Sequence, residues 1–234
     1  MRTALIADIH GNVVALRAVL DDVRSHADRV VCLGDVAATG PQPAEAVEAV
    51  AELGCDVVMG NTDEWLLSPT DEAIEDDDTR RIAEIDLWAR EQLTPDHLAE
   101  LRRYQPRVEL DGVLCYHGSP RSNTEVILST TPDPELAQMV AGYERRVLAG
   151  GHTHVAMLRR FRGSLVVNPG SVGMPFEQTA PETFRNPPWA EYAVVDGTDV
   201  DFRRVAVDVG AVTEAARASG MPNAGWWVKD WAWG

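Results

Sequence analysis

Three short apolar runs near the start of the chain, residues 4–7, 30–33 and 57–59, are separated by helical patterns over 13–23 and 44–53. That alternation predicts βαβαβ, a parallel sheet whose strands are joined by covering helices. Each run stops at a residue able to hold a cation: Asp8 after the first, Asp35 after the second and Asn61 after the third. Parallel strands point the same way, so the three ends meet along one carboxyl edge, where open α/β sheets place their ligands. Residues far apart in sequence thereby become neighbours.

The second half reads as strands. Runs 108–110 and 113–116 flank Asp111-Gly112, a favoured hairpin dipeptide, and further strands are expected at 146–149, 157–161, 165–167, 192–195 and 200–206, with turns at Arg162-Gly163 and Asp196-Gly197. Residues 64–103 differ: Ile82, Ile85, Leu87, Trp88 and Leu93 have helical spacing, and Thr94-Pro95-Asp96 opens a new helix, so a helical insertion or cap is expected. A rim or lid loop is expected over 174–188. The extension 208–234 carries four of the seven tryptophans within 226–233, read as a segment docked on an apolar groove, with a homo-oligomer contact as the alternative. One domain with an insertion suits 234 residues.

A formal net charge of -16 repels polyanions, and no basic patch offsets it, so long nucleic acid is not an expected partner. The acidic run 71–78 reads as a solvated loop. No apolar stretch approaches membrane-spanning or signal-peptide length. Cys32, Cys55 and Cys115 fall in or beside buried strands as small hydrophobes, and a reduced, cytoplasmic protein is the expectation.

Four of the six histidines sit at the ends of apolar runs: His10 in Asp8-Ile9-His10, His117 after strand 113–116, and His152 and His154 in Gly151-His152-Thr153-His154. A mixed carboxylate, imidazole and amide set suits a borderline divalent ion. Manganese is the expected metal, with iron, zinc, nickel and magnesium as the other candidates. A carboxylate has two oxygens, so Asp35 is able to bridge two ions, while the Asn61 amide binds without adding charge.

In these motifs, closed by Asn168-Pro169-Gly170-Ser171, the chain resembles the calcineurin-like metallophosphoesterases, in particular the compact prokaryotic phosphodiesterase-like group that begins Ser/Ala-Asp-Ile-His-Gly-Asn. The match runs from Arg2 to about Val207. The resemblance implies an α/β fold, a four-layer αββα sandwich of two mixed β-sheets flanked by helices. It implies two metal ions per chain, one held by Asp8, His10 and His154, the other by Asn61, His117 and His152, with Asp35 bridging. Such a pair of ions shares a water and acidifies it for in-line attack on a phosphodiester or phosphomonoester of a small metabolite or nucleotide. Asp35, Asn61 and Asp63 are then the candidate catalytic residues, and Asn12, Asn61 and Arg121 the candidate substrate contacts; Arg185 is a further cation near the rim. Members of the family commonly have histidine after the asparagine of Gly-Asn-His, as acid for the leaving group. Here Thr62 stands in its place, and a hydroxyl of such high pKa does not replace that acid, so substrates with good leaving groups are expected. The same fold resembles a eukaryotic trafficking subunit, which makes a non-catalytic metal-binding scaffold for a protein partner the alternative.

Overall fold

The computed structural model describes residues 1–70, 74–180 and 183–231. Its first sheet runs in the order β12 (Asp199–Ala206), β11 (Trp189–Asp196), β1 (Thr3–Ile6), β2 (Arg29–Cys32) and β3 (Asp56–Val57). The last three are parallel, and β11 pairs antiparallel with β1, so the sheet is mixed. A second five-stranded sheet has the order β4 (Val108–Leu110), β5 (Val113–Cys115), β6 (Val147–Ala149), β8 (Ser164–Asn168) and β7 (Met157–Phe161). It too is mixed: β5, β6 and β8 are parallel, and β4 and β7 antiparallel to their neighbours.

Side-chain alternation assigns each face to a layer, because successive residues of a strand point to opposite sides. From β1 and β2, Ala4, Ile6 and Cys32 meet the helices, while Leu5 and Val31, with Ala7 and Leu33 just beyond the strands, meet the second sheet. From β5 and β6, Val113, Cys115, Val147 and Ala149 complete that inter-sheet core. Their alternates Leu114 and Leu148 face outward onto helix α6 (Asp133–Met139), through Leu136 and Met139. Helices, sheet, sheet and helix are thus the four layers expected.

Helices α1 (Val13–His26) and α2 (Pro43–Leu53) cover the first sheet. The segment expected as a helical insertion forms α3 (Asn61–Leu67), α4 (Asp77–Gln92) and α5 (Pro95–Leu101), and its Ile85, Ala89 and Leu101 join the core of α1 rather than a core of their own. Thr94 caps α5 by accepting from His97 N–H at 3.3 Å. Of the three predicted turns, those at Asp111-Gly112 and Arg162-Gly163 have positive φ at both residues, whereas at Asp196-Gly197 only Gly197 does, because Asp196 is still the last residue of β11.

Two expectations need correction. The acidic run is not simply a loop: Asp76 is an N-cap, accepting from Asp78 and Thr79 N–H, and α4 starts at Asp77; 71–73 lie outside the described residues. The rim segment contains a β-hairpin, β9 (Glu177–Ala180) paired antiparallel with β10 (Thr183–Arg185), with Arg185 bonded to Glu177 across the strands at 2.9 Å. The extension folds as α7 (Val209–Ala218), α8 (Ala224–Trp227) and a 3-10 helix, Val228–Trp231, and docks on its own chain, with Trp227 and Trp231 inside the first core; Trp233 lies outside the described residues.

Candidate metal centre

The carboxyl ends of β1, β2, β5 and β6 converge, and the loops that follow turn abruptly. Five of the nine non-glycine residues with positive φ among the described residues are expected ligands: Asp8, His10, Asp35, His152 and His154. Left-handed backbone costs an L-residue about 1–2 kcal/mol, and such strain gathers where function demands a particular side-chain direction. Gly60 permits a close approach to a ligand, since a Cβ there would land on the carboxylate oxygen and backbone nitrogen of Asp35.

Two groups of three result, Asp8 with His10 and His154, and Asp35 with His117 and His152, each offering ligand atoms within 4.8 Å of one another. Their chemistry tests whether a cation belongs there. His10 Nδ1–H donates to the Ala38 carbonyl at 3.0 Å and His154 Nδ1–H to the Met174 carbonyl at 2.8 Å. Each neutral ring therefore presents only a lone pair at Nε2, yet the two Nε2 atoms face each other at 3.0 Å. Burial, the largest influence, pushes His154 down to about 3 and lowers His10 as well, so both rings are neutral near pH 7. Facing lone pairs beside the Asp8 carboxylate, 3.9 Å from His154, are what a divalent ion satisfies.

In the other group His117 Nδ1–H donates to the Leu33 carbonyl at 2.7 Å, and Nε2 faces Asp35 Oδ2 at 3.3 Å and Asn61 Oδ1 at 3.0 Å. Asp35 Oδ2 lies 3.8 Å from His10 Nε2 as well, so this one oxygen stands between the groups. Burial opposes charge on both members of the His117–Asp35 pair, but their attraction wins, lifting His117 to about 10 and holding Asp35 well below the usual carboxylate range. With His117 protonated and Asp35 charged, a proton lies between them, and a metal held by both residues would take its place. Burial pushes Asp8 up to about 8 against the attraction of His117.

The residues around the ligands have specific tasks. Asp63 is fully buried and accepts from the N–H groups of Asp35, Val36 and Gly60 at 2.8, 2.9 and 3.1 Å, so it positions Asp35 through the backbone. Asn12, expected at the substrate, is 1% exposed and occupied elsewhere. Its oxygen caps α1 at Ala15 N–H and its nitrogen donates to the Gly173 carbonyl, both bonds that fix the fold. Arg121, also expected at the substrate, is paired with Glu125 and donates to the Gln138 carbonyl at 3.3 Å. Asn168 and Ser171 hold the ligand loops: Asn168 Nδ2 donates to the Gly151 carbonyl at 2.7 Å and Ser171 Oγ to the Asp8 carbonyl at 2.7 Å.

Beside His117 opens a cleft of about 300 Å³ lined by Met59, Glu64, Arg107, Arg121 and Asn123. Arg107 escaped the sequence reading. Its guanidinium donates to the Pro120 carbonyl at 2.8 Å and lies 5.0 Å over the Tyr143 ring, and among the described residues it has no ion-pair partner. Its signal is structural, a half-buried cation without an ion-pair partner among the described residues, and nothing in the sequence around Arg107 announces it. On the opposite side Phe176 stacks on His154 with centroids 4.8 Å apart, and Phe176 and Phe184 are 42% and 53% exposed.

The chain is similar to several known proteins. A protein of Methanocaldococcus jannaschii described as uncharacterized is 26% identical over 242 residues, covering 94% of this chain and 93% of its own. A metallophosphoesterase from Sphaerobacter thermophilus superposes with a TM-score of 0.80 at 28% identity, over 99% of this chain and 98% of that one. A hypothetical protein from Pyrococcus horikoshii OT3 shares the fold at a TM-score of 0.81 and 22% identity, covering 97% and 96%. The sequence profile of the calcineurin-like phosphoesterase superfamily domain matches residues 1–186, and this chain belongs to that superfamily.

Proposed function

We propose that the chain is a binuclear-metal phosphoesterase that hydrolyses small phosphorylated substrates, with diesters bearing good leaving groups preferred. The observation that carries this reading is the position of Asp35 Oδ2, 3.8 Å from a histidine of one group and 3.3 Å from a histidine of the other, where one carboxylate serves both ions. A pair of ions held there, manganese best suited, supplies an acidified water and neutralises charge developing on the phosphoryl oxygens.

The chain's residues do the rest. Asp8, His10 and His154 form the buried anchor, and Asn61, His117 and His152 the group beside the cleft. Asp63 and the Thr62 N–H, which donates to Asp35 Oδ1 at 3.0 Å, hold the bridging carboxylate in place. The Thr62 hydroxyl is buried without a hydrogen-bond partner among the described residues, so Thr62 acts here through its backbone. No imidazole stands at that position to protonate a leaving group, which supports the preference for diesters whose leaving groups depart as stable anions. Arg107 supplies a cation for an anionic part of the substrate, and Phe176 and Phe184 an apolar rim suited to a nucleobase or other ring.

The test is hydrolysis of bis(p-nitrophenyl) phosphate and p-nitrophenyl phosphate by metal-stripped protein with Mn²⁺, Ni²⁺, Zn²⁺ or Mg²⁺ restored. Diester cleavage that requires metal and falls about 10³-fold in Asp35→Ala, equivalent to about 4 kcal/mol of transition-state stabilisation, is expected. Absence of turnover with every ion in folded protein sinks the enzyme reading in favour of a partner-binding scaffold.

A further inference from the structure

We infer that the C-terminal tryptophan segment braces one half of the metal centre, with Trp227 and Trp231 fixing the two loops whose carbonyls orient His10 and His154. The superfamily match ends at residue 186, so this segment lies beyond it. The inference rests on the reading that Asp8, His10 and His154 hold an ion.

One arm runs through Trp227. Its indole N–H donates to the Thr39 carbonyl at 2.8 Å, and Thr39 follows Ala38, whose carbonyl accepts from His10 Nδ1–H at 3.0 Å. Thr39 has a φ of 68°, a left-handed conformation that a β-branched residue keeps only when its surroundings hold it. Two bonds do so: the one from Trp227, and one from the Thr39 hydroxyl to Asp86 at 2.9 Å.

The second arm runs through Trp231. Asn186 N–H donates to the Asp230 carbonyl at 2.8 Å, tying the end of the hairpin to the segment. The Asn186 amide, oriented to satisfy both its ends, accepts from the Trp231 indole N–H at 3.2 Å and donates to the Pro175 carbonyl at 2.9 Å. Pro175 follows Met174, whose carbonyl accepts from His154 Nδ1–H at 2.8 Å. Trp227 and Trp231 are 3% and 0% exposed with ring centroids 5.9 Å apart, so a single packed pair supports both arms.

His117 is held differently, by the Leu33 carbonyl at the end of β2, where the sheet itself supplies the rigidity. The brace therefore acts on one ion and not the other. Groups that orient a ligand imidazole are worth about 10–100-fold in metal affinity, and Trp227 and Trp231 stand one step behind those groups as positioning residues.

The experiment is Mn²⁺ titration of Trp227→Phe and Trp231→Phe, each keeping a ring but losing an N–H, in two backgrounds. His152→Ala leaves the Asp8 group intact, and His10→Ala leaves the Asp35 group intact; circular dichroism and melting temperature check folding in all. About tenfold weaker Mn²⁺ binding in the His152→Ala background, with less than twofold change in the His10→Ala background, is the expected result. Equal weakening in both backgrounds, or none in either, overturns the brace and leaves the segment as core packing. If the His152→Ala protein binds no Mn²⁺ before any tryptophan is changed, the ion at Asp8 fails and the brace fails with it.

Discussion

On one side of the centre Asp8, His10 and His154 are 0, 4 and 8% exposed; on the other His152 and Asn61 are half-buried, and His117, though 1% exposed, borders the open cleft. The buried side has two charge-neutral imidazoles oriented by loop carbonyls and a stacked Phe176; the open side has a histidine that shares a proton with Asp35, which a bound metal would displace. On the proposed reading, similar ligand types serve two purposes. Burial and bracing suit an ion that stays, while partial exposure, a neutral amide ligand and adjacent Arg107 suit an ion that meets substrate.

The comparison breaks first if the shared carboxylate moves. Gly60→Ala forces a Cβ against Asp35, and overpacking of about 1–3 kcal/mol is expected with loss of most metal-dependent activity, read by melting temperature and turnover. Activity and melting temperature unchanged would mean that the loop after β2 yields freely. A change confined to the open side comes next. Arg107→Gln should lower kcat/KM for anionic diesters about tenfold, equivalent to about 1.4 kcal/mol, and leave Mn²⁺ affinity on both sides as it was.

The pH dependence distinguishes the sides by their protons. In metal-free protein His117 is lifted to about 10, above its unfolded value of 6.5, so the stability it contributes is complete below 6.5 and lost as pH rises through 10. Asp8, raised to about 8, adds a penalty that grows from its ordinary 3.8 up to that value. Metal-free protein should therefore melt at progressively lower temperature from about pH 6.5 to 10, whereas saturating Mn²⁺ should abolish that decline. A flat metal-free profile would contradict the proton shared by His117 and Asp35.

The smallest effect is a control away from both sides. Asp22 accepts from Arg203 Nε at 2.7 Å and Tyr192 O–H at 2.6 Å, and Arg203's bonds lead in holding its carboxyl below 3.8. Its contribution is fully present above 3.8 and lost as pH falls through the lower folded value. Asp22→Asn should cost about 0.5–1 kcal/mol at neutral pH, a few degrees of melting temperature, without altering Mn²⁺ binding.

Much of this site was legible because strand ends are marked twice in the sequence, by the end of an apolar run and by the polar residue that follows. Asp8, Asp35 and His117 illustrate this, whereas the four layers were implied by the family resemblance. The backbone conformation of the ligands was not legible, since nothing in Asp8 or His154 announces a positive φ; tertiary contacts impose it. The Asn12 cap had a local signal, an asparagine directly before an apolar helical run, which the resemblance to a substrate-side residue overrode. Strands β9 and β10, of four and three residues among prolines, are too short for periodicity to show. Trp227 and Trp231 were legible as buried aromatics, but their partners Thr39 and Asn186 are set by long-range packing alone.

The most direct measurement is electron paramagnetic resonance of the protein titrated with Mn²⁺, alongside Asp35→Ala. If one carboxylate joins the two groups, about two Mn²⁺ per chain should bind with an exchange-coupled spectrum, as expected of ions about 3.5–4 Å apart, and Asp35→Ala should abolish the coupling. Isolated Mn²⁺ signals at every loading, or coupling that survives in Asp35→Ala, would contradict a centre built around Asp35.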